Sequence, residues 1–384
     1  MSRPLMVPLL VWTMSAGTMA YAGLSVTATA IIADLGIGAT QLGLVLLAYS
    51  AGAAVLSPVA GPITDRIGGT WAVRLTMLVA AVGYPLVALA DSTLSLAAAT
   101  LPIAFAQALI NPATNAIIAH HVPDGRRGVI TGIKQSGVYV GFVLVGLTAP
   151  ALTARFGWEA AFLLLAGVCL LGFVLSLVGL PPTAGSRRAA SGGVPRTAFP
   201  DLRRLTIYAG LMGFAASTNN FIPLYAETAL GYTNAVAGLI TAVIGGLAIV
   251  TRILGARRAE RTGRPGVLLR AMAAMGVVTN ASLALAALAP AMVWLAAASY
   301  AFGLAPWNAV AMLAVIILVG RDAAGTATGW VVGAFSAGLA LGPVAYGRLI
   351  DSVGFGTAWG LSAVMTAAAV VAVAGFRAQP AVRT

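Results

Sequence analysis

Long apolar runs alternate with short polar turns along the whole chain. Twelve runs stand out, at roughly 6–32, 40–60, 72–90, 94–119, 129–151, 160–180, 206–229, 235–255, 267–289, 291–318, 325–348 and 356–376. A helix needs about 20 apolar residues to cross a hydrocarbon core about 30 Å thick, and each run is close to that length or longer. Most of the intervening turns are short and hold Gly, Pro, Asp and Arg, as in Gly61-Pro62-Ile63-Thr64-Asp65-Arg66-Ile67-Gly68. A helix satisfies its own backbone N–H and C=O groups, which lipid cannot do, so the pattern predicts an all-α integral membrane protein.

Composition sharpens this. Of 384 residues, 60% are hydrophobic and 8% are charged, against about 25% charged in soluble domains; the mean hydropathy is +0.95. A net charge of +12 raises the question of nucleic acid, but the basic residues, 21 arginines and one lysine, lie almost entirely in short loops. With a cytoplasmic N-terminus, eighteen of the 22 fall on the inner side; Arg155 and Arg348 lie outside, and Lys134 and Arg252 lie within spans. That asymmetry orients membrane helices and places both termini in the cytoplasm. The expected partner is therefore a lipid bilayer and not a nucleic acid. The N-terminal run follows Arg3 but continues without a cleavage site, so it reads as the first span and not a signal peptide. The single cysteine, Cys169, excludes a disulfide framework and a cysteine metal site.

One stretch, 181–205, breaks the rhythm. It holds Pro181-Pro182, Gly192-Gly193 and five arginines, the composition of a flexible linker. It separates an N-terminal half, 1–180, from a C-terminal half, 206–384, with six spans in each. The halves are related at an offset of 197: Phe105 matches Phe302, Asn111 matches Asn308, Gly128 matches Gly325, Thr131-Gly132 matches Thr328-Gly329, and Gly157 matches Gly354.

The loop between the second and third spans reads G-x-x-x-D-R-x-G, and a degraded copy recurs as Ala256-Arg257-Arg258-Ala259-Glu260-Arg261-Thr262-Gly263-Arg264. With these motifs the chain resembles the major facilitator superfamily of secondary transporters over nearly its whole length. The turn from Pro150 to Phe162 and the glycine-rich fifth span, with Gly132, Gly137, Gly141 and Gly146, are similar to that family as well. The fifth span has Ala149-Pro150 in place of the Gly-Pro typical of the proton-driven drug-export subgroup; Gly342-Pro343 occurs in the eleventh span instead. The resemblance implies twelve transmembrane helices in two pseudo-symmetric six-helix halves and transport by alternating access. It also implies gating roles for Gly61, Asp65, Arg66 and Gly68, and for Glu260 and Arg261 in the degraded copy. Asp65 is expected near the start of the eleventh span, around Gly325 to Gly329, where a helix dipole favours negative charge. Arg252, near the inner end of its span, is expected to line a gate.

Polar side chains inside spans are the candidate binding residues, because hydrocarbon penalises them unless they face a cavity or a partner. Gln107, Asn111 and Asn115 recur every four residues and share one helical face. Asn308, beside Trp307, is the repeat partner of Asn111. Asn219 and Asn220 precede Pro223, which breaks a helix. Lys134 sits about five residues into the fifth span, where a snorkelling position and a cavity-facing one are both open. The ten acids lie in loops or near span ends, so no mid-membrane carboxylate is available to exchange a proton for a cationic substrate. His120 and His121 are adjacent, without a cysteine or acid cluster, and predict no metal site.

The sequence therefore predicts a monomeric secondary transporter of the bacterial inner membrane. Its substrate is an organic or small inorganic anion or a neutral metabolite, with a proton or ion as possible coupling partner. No enzymatic activity, catalytic residue or cofactor is expected. A proton-coupled multidrug or metabolite efflux pump is the alternative, and a non-transporting membrane sensor is a third reading.

Overall fold

The computed structural model describes residues 5–183 and 198–376, and among these the chain is helical with no strand. Of the expected linker, 181–205, residues 184–197 lie outside the described residues. The first five spans give α1 (Met6–Val26) with its short continuation α2 (Ala28–Leu35), then α3 (Ala39–Ile67), α4 (Gly69–Ala88), α5 (Thr93–His121) and α6 (Asp124–Phe156). The sixth is α7 (Trp158–Gly179). The second half supplies α8 (Phe199–Ala216), α9 (Ile222–Thr228), α10 (Asn234–Thr262), α11 (Pro265–Ala286), α12 (Met292–Gly303), α13 (Trp307–Ser352) and α14 (Phe355–Ala372). Eleven helical stretches among the described residues are long and apolar enough to cross a membrane. The seventh span is the twelfth crossing, divided between α8 and α9.

The division has a local cause. A 3₁₀ turn, Ser217–Asn220, joins α8 to α9. Pro223 has no N–H to give the ladder, and its ring crowds the carbonyl four residues earlier, at Asn219. The expected break before Pro223 is therefore present. Helix α8 starts at Phe199, earlier than the expected 206, with Pro200 in its first turn and Asp201 close behind. Both residues favour a helix start.

The boundary between the tenth and eleventh spans differs more. The chain breaks at Leu304 to Pro306, inside the expected tenth span, and α13 then runs unbroken for 46 residues, about 69 Å at 1.5 Å per residue. No helix starts near Gly325, so the helix end proposed to receive Asp65 is absent. The repeat explains the contrast. In the first half Pro123 forces Val122 into an extended conformation (φ −108°, ψ 125°) and separates α5 from α6. Its counterpart at the offset of 197 is Gly320, which leaves the helix intact.

By packing, the chain divides into two compact units: Met1–Arg188 with Ile222–Gly246, and Ala189–Phe221 with Leu247–Thr384. In the first, α1 lies against α6, α3 and α4 against α5, and α4 against α7. In the second, α8 lies against α13, α11 against α12, and α11 against α14. The partners correspond: spans one and five match seven and eleven, three and four match nine and ten, three and six match nine and twelve. Gly157 and Gly354, paired by the repeat, each stand immediately before a helix, Gly157 as the whole link and Gly354 after Val353, at φ 86° and 101°, a backbone region costly for any residue with a Cβ.

Helices in lipid gain little from apolar burial alone; small residues and interhelical hydrogen bonds hold them, at about 0.6 kcal/mol per bond. The first span is spent this way. Ser15 Oγ donates to Gly137 O (2.6 Å) and Trp12 Nε1 to Val168 O (3.1 Å). Tyr49 OH reaches Gly17 O (2.9 Å), and Tyr84 OH reaches Ala16 O (2.5 Å). In the second unit Tyr208 OH donates to Leu269 O (3.0 Å) and Tyr300 OH to Ala216 O (2.8 Å).

Candidate functional site

The amide face of α5 meets α6 in a connected polar group. Asn111 and Asn115 are exposed, although both lie within the apolar stretch of α5. An amide in an apolar setting without a partner costs on the order of 2–7 kcal/mol, and the oxygens of both are paired with side chains of α6. Lys134 lies behind this face, fully buried, and donates from Nζ to Thr114 Oγ1 and Asn115 Oδ1, both at 2.6 Å. One residue on, Gln135 Nε2 donates to Asn111 Oδ1 at 3.1 Å. Gln107, a turn above Asn111, packs on Gly17 and keeps its Oε1 buried without a partner.

Helix geometry fixes this arrangement. Residues 107, 111 and 115 recur every four positions and stay on one face. Helix α6 begins at Asp124, so Lys134 is ten residues into it, about 15 Å from its end and deeper than the sequence suggested. The side chain does not snorkel. Thr114 Oγ1 also donates to Ile110 O at 2.7 Å, which leaves its lone pairs to the ammonium. Among the described residues no carboxylate pairs with Lys134. The site is a buried lysine amine held by two neutral oxygens.

Thr114 and Gln135 are missing from the sequence-derived set. Each adjoins a residue that was named, Asn115 and Lys134, but only the rotation of the helices shows that they complete the network.

The remaining candidates are scattered. Asn219 and Asn220 are buried in the 3₁₀ turn. Trp307 is buried and packs between Tyr208 and Phe335, with ring centroids 6.0 Å and 4.8 Å away, so it belongs to the core of its unit. Asn308 beside it is half-buried, with Oδ1 lacking a partner. Of the gating set, Gly61 and Asp65 lie in the last turns of α3, and both are partly buried. Arg66 is exposed, and Gly68 links α3 to α4 at φ 81°. Arg252 is half-buried in α10, and Glu260 and Arg261 are exposed near its end.

A helical repeat that spans the membrane and carries a cation and amides at depth defines a polytopic protein with a polar site inside its bundle. The chain belongs to the Major Facilitator Superfamily, whose family model matches residues 10–338. It is similar to the hexuronate transporter of Bacillus subtilis (strain 168), 28% identical over 44% of this chain and 41% of that protein. It is also similar to the probable nitrate/nitrite transporter NarK2 of Mycobacterium tuberculosis (strain CDC 1551 / Oshkosh), 26% identical over 77% of this chain and 76% of the relative. The fold matches a crystal structure of the nucleoside transporter NupG with a TM-score of 0.76, covering 97% of this chain and 99% of that one at 14% identity. The hexuronate match thus spans less than half the length of that relative, and the NupG likeness concerns the fold.

Proposed function

We propose that the protein is a secondary transporter that moves a small anion across the membrane by alternating access. The observation that carries this reading is Lys134, a fully buried ammonium bonded to Thr114 and Asn115 with no described carboxylate to neutralise it. Two neutral acceptors satisfy part of its hydrogen bonding and none of its charge. A visiting carboxylate or oxyanion supplies the rest, and Asn111, Asn115 and Gln107 provide amides to orient it. Hexuronate and nitrate, which name two of the similar proteins, are both anions. A cation exporter needs the opposite site, a carboxylate at depth, and is disfavoured on the same ground.

In this reading the protein works as two six-helix halves, 1–180 and 206–384, joined by the linker 181–205. It acts as a monomer in a bacterial inner membrane, with both termini cytoplasmic as the arginine distribution implies. Gly61, Asp65, Arg66, Gly68, Arg252, Glu260 and Arg261 gate access, and Asn219, Asn220 and Asn308 are the polar candidates of the C-terminal half.

The test is uptake of a radiolabelled anion panel, including a hexuronate and nitrate, by proteoliposomes. Lys134→Arg is expected to retain partial flux, and Lys134→Gln to abolish it with the protein still folded. Flux through the Gln variant at the wild-type rate would remove the basis for the proposal.

A further inference from the structure

We propose that the groove between α4 and α7, at the arginine-rich membrane face, is a binding site for an anionic phospholipid. Two adjoining cavities, about 630 Å³ and 500 Å³, meet at Ile67, Trp71 and Arg74. The first is lined in part by the polar side chains of Thr70, Arg74 and Thr183. The second is apolar and follows α4 along Leu75 and Leu78, with Phe173 of α7 opposite. Together they place a compartment with polar side chains next to an apolar one, as a lipid head group and its hydrocarbon require.

The head compartment is built for negative charge. Arg74 Nη2 donates to Ser176 O and Leu177 O, both at 3.3 Å, which fixes the guanidinium against the end of α7. Its carbon lies 4.7 Å from the centre of the Trp71 ring. The Nε of Arg74 is buried and has no partner, a costly state for a charged donor in a low-dielectric setting. Thr70 Oγ1 and Thr183 Oγ1 stand 3.1 Å apart beside it, and His121 Nε2 lies 3.2 Å from Thr183 Oγ1. Among the described residues, no acidic side chain lines either cavity. Planar guanidinium groups suit phosphate oxygens, and basic pockets between transmembrane helices bind anionic head groups.

The second compartment selects a lipid over a free phosphate. Trp71, Leu75 and Leu78 recur at i, i+4 and i+7 on one face of α4. Trp71 and Leu78 remain 58% and 41% exposed. Such a stripe is ordinary on a membrane helix. Here it runs straight into a pocket with an unpartnered arginine nitrogen, at the depth where Trp side chains sit among head groups.

Native mass spectrometry of the full-length protein, delipidated and then offered phosphatidylglycerol or phosphatidylcholine, tests this. The wild type is expected to retain one phosphatidylglycerol about 10-fold more strongly than phosphatidylcholine. Arg74→Gln should lose that one lipid, Arg74→Lys should keep part of it, and Trp71→Ala should weaken it several-fold. Because Arg74 also braces α7, each variant is checked for protection of the buried Cys169 from a thiol reagent; Trp71, being exposed, tests the groove without that burden. Equal retention of the two lipids by the wild type would overturn the proposal. So would unchanged phosphatidylglycerol binding in folded Arg74→Gln and Trp71→Ala, or its full displacement by free glycerol phosphate at equal concentration.

Discussion

Replacing Thr114 by Val tests whether Lys134 is held in place as a charged group. The hydroxyl is fully buried and accepts from Lys134 Nζ at 2.6 Å, and Val occupies nearly the same volume. A hydrogen bond to a charged group contributes about 1.5–3 kcal/mol, so Thr114→Val should destabilise the ligand-free protein by about that amount. In a Lys134→Met background the same change removes only the local bonding of the hydroxyl to Ile110 O and Asn111 O, of about 1 kcal/mol or less. The double-mutant cycle should therefore show a coupling energy of about 1–2 kcal/mol. Cys169, the single cysteine and fully buried, gives the assay: its reaction with a fluorogenic maleimide on heating reports unfolding. A bound anion relieves the ammonium left short of partners, so saturating substrate should raise the apparent stability of Thr114→Val more than that of wild type. An equal cost of Thr114→Val in both backgrounds would refute the reasoning, because Lys134 would then not depend on this oxygen.

Substitutions at five other positions have expected outcomes. A Cβ at Gly137 would overlap the carbonyl of Val11 and crowd Met14, so Gly137→Ala should cost about 1–3 kcal/mol by forcing α1 from α6. Gly132→Ala on the same helix, where nothing lies within 4 Å, should be neutral or slightly stabilising in the same Cys169 assay. Asn111→Leu should weaken anion binding by roughly 10-fold, as expected for a lost hydrogen bond to a charged ligand of about 1.5 kcal/mol. Asn308→Leu should do the same if the repeat partner is also a ligand, and isothermal titration of each variant decides. Asp65→Asn should raise labelling of cysteines introduced on the exposed face of α5 from the arginine-rich side. Unchanged labelling from both sides would remove Asp65 from the gate.

The sequence by itself determined where the apolar crossings lie and that they repeat in two halves. Hydropathy sums the transfer free energy of each run independently of its neighbours, so length and composition suffice to locate spans. The repeat carried further: Gly157 and Gly354 were matched by offset alone, and both stand immediately before a helix at positive φ. Pro223 marked the broken seventh span correctly because its effect on the backbone is local. The amide ladder of α5 was legible for the same reason, through the period of the helix.

Tertiary structure decided what the polar residues do. Trp12, Ser15 and Tyr21 are polar positions in the first span, and Trp12 Nε1 and Ser15 Oγ are bonded to neighbouring helices, while Tyr21 OH lies 2.7 Å from Ser50 Oγ. Trp307 turns into an aromatic core for the same reason: the rotation of a helix about its axis is set by packing, which hydropathy does not contain. The depth of Lys134 depended on where α6 starts, and its partners on how α5 and α6 face each other. Gly320, lacking the restriction that Pro123 places on the residue before it, let α13 continue through an expected loop. A turn residue permits a break, but only the surrounding chain decides whether the helix takes it.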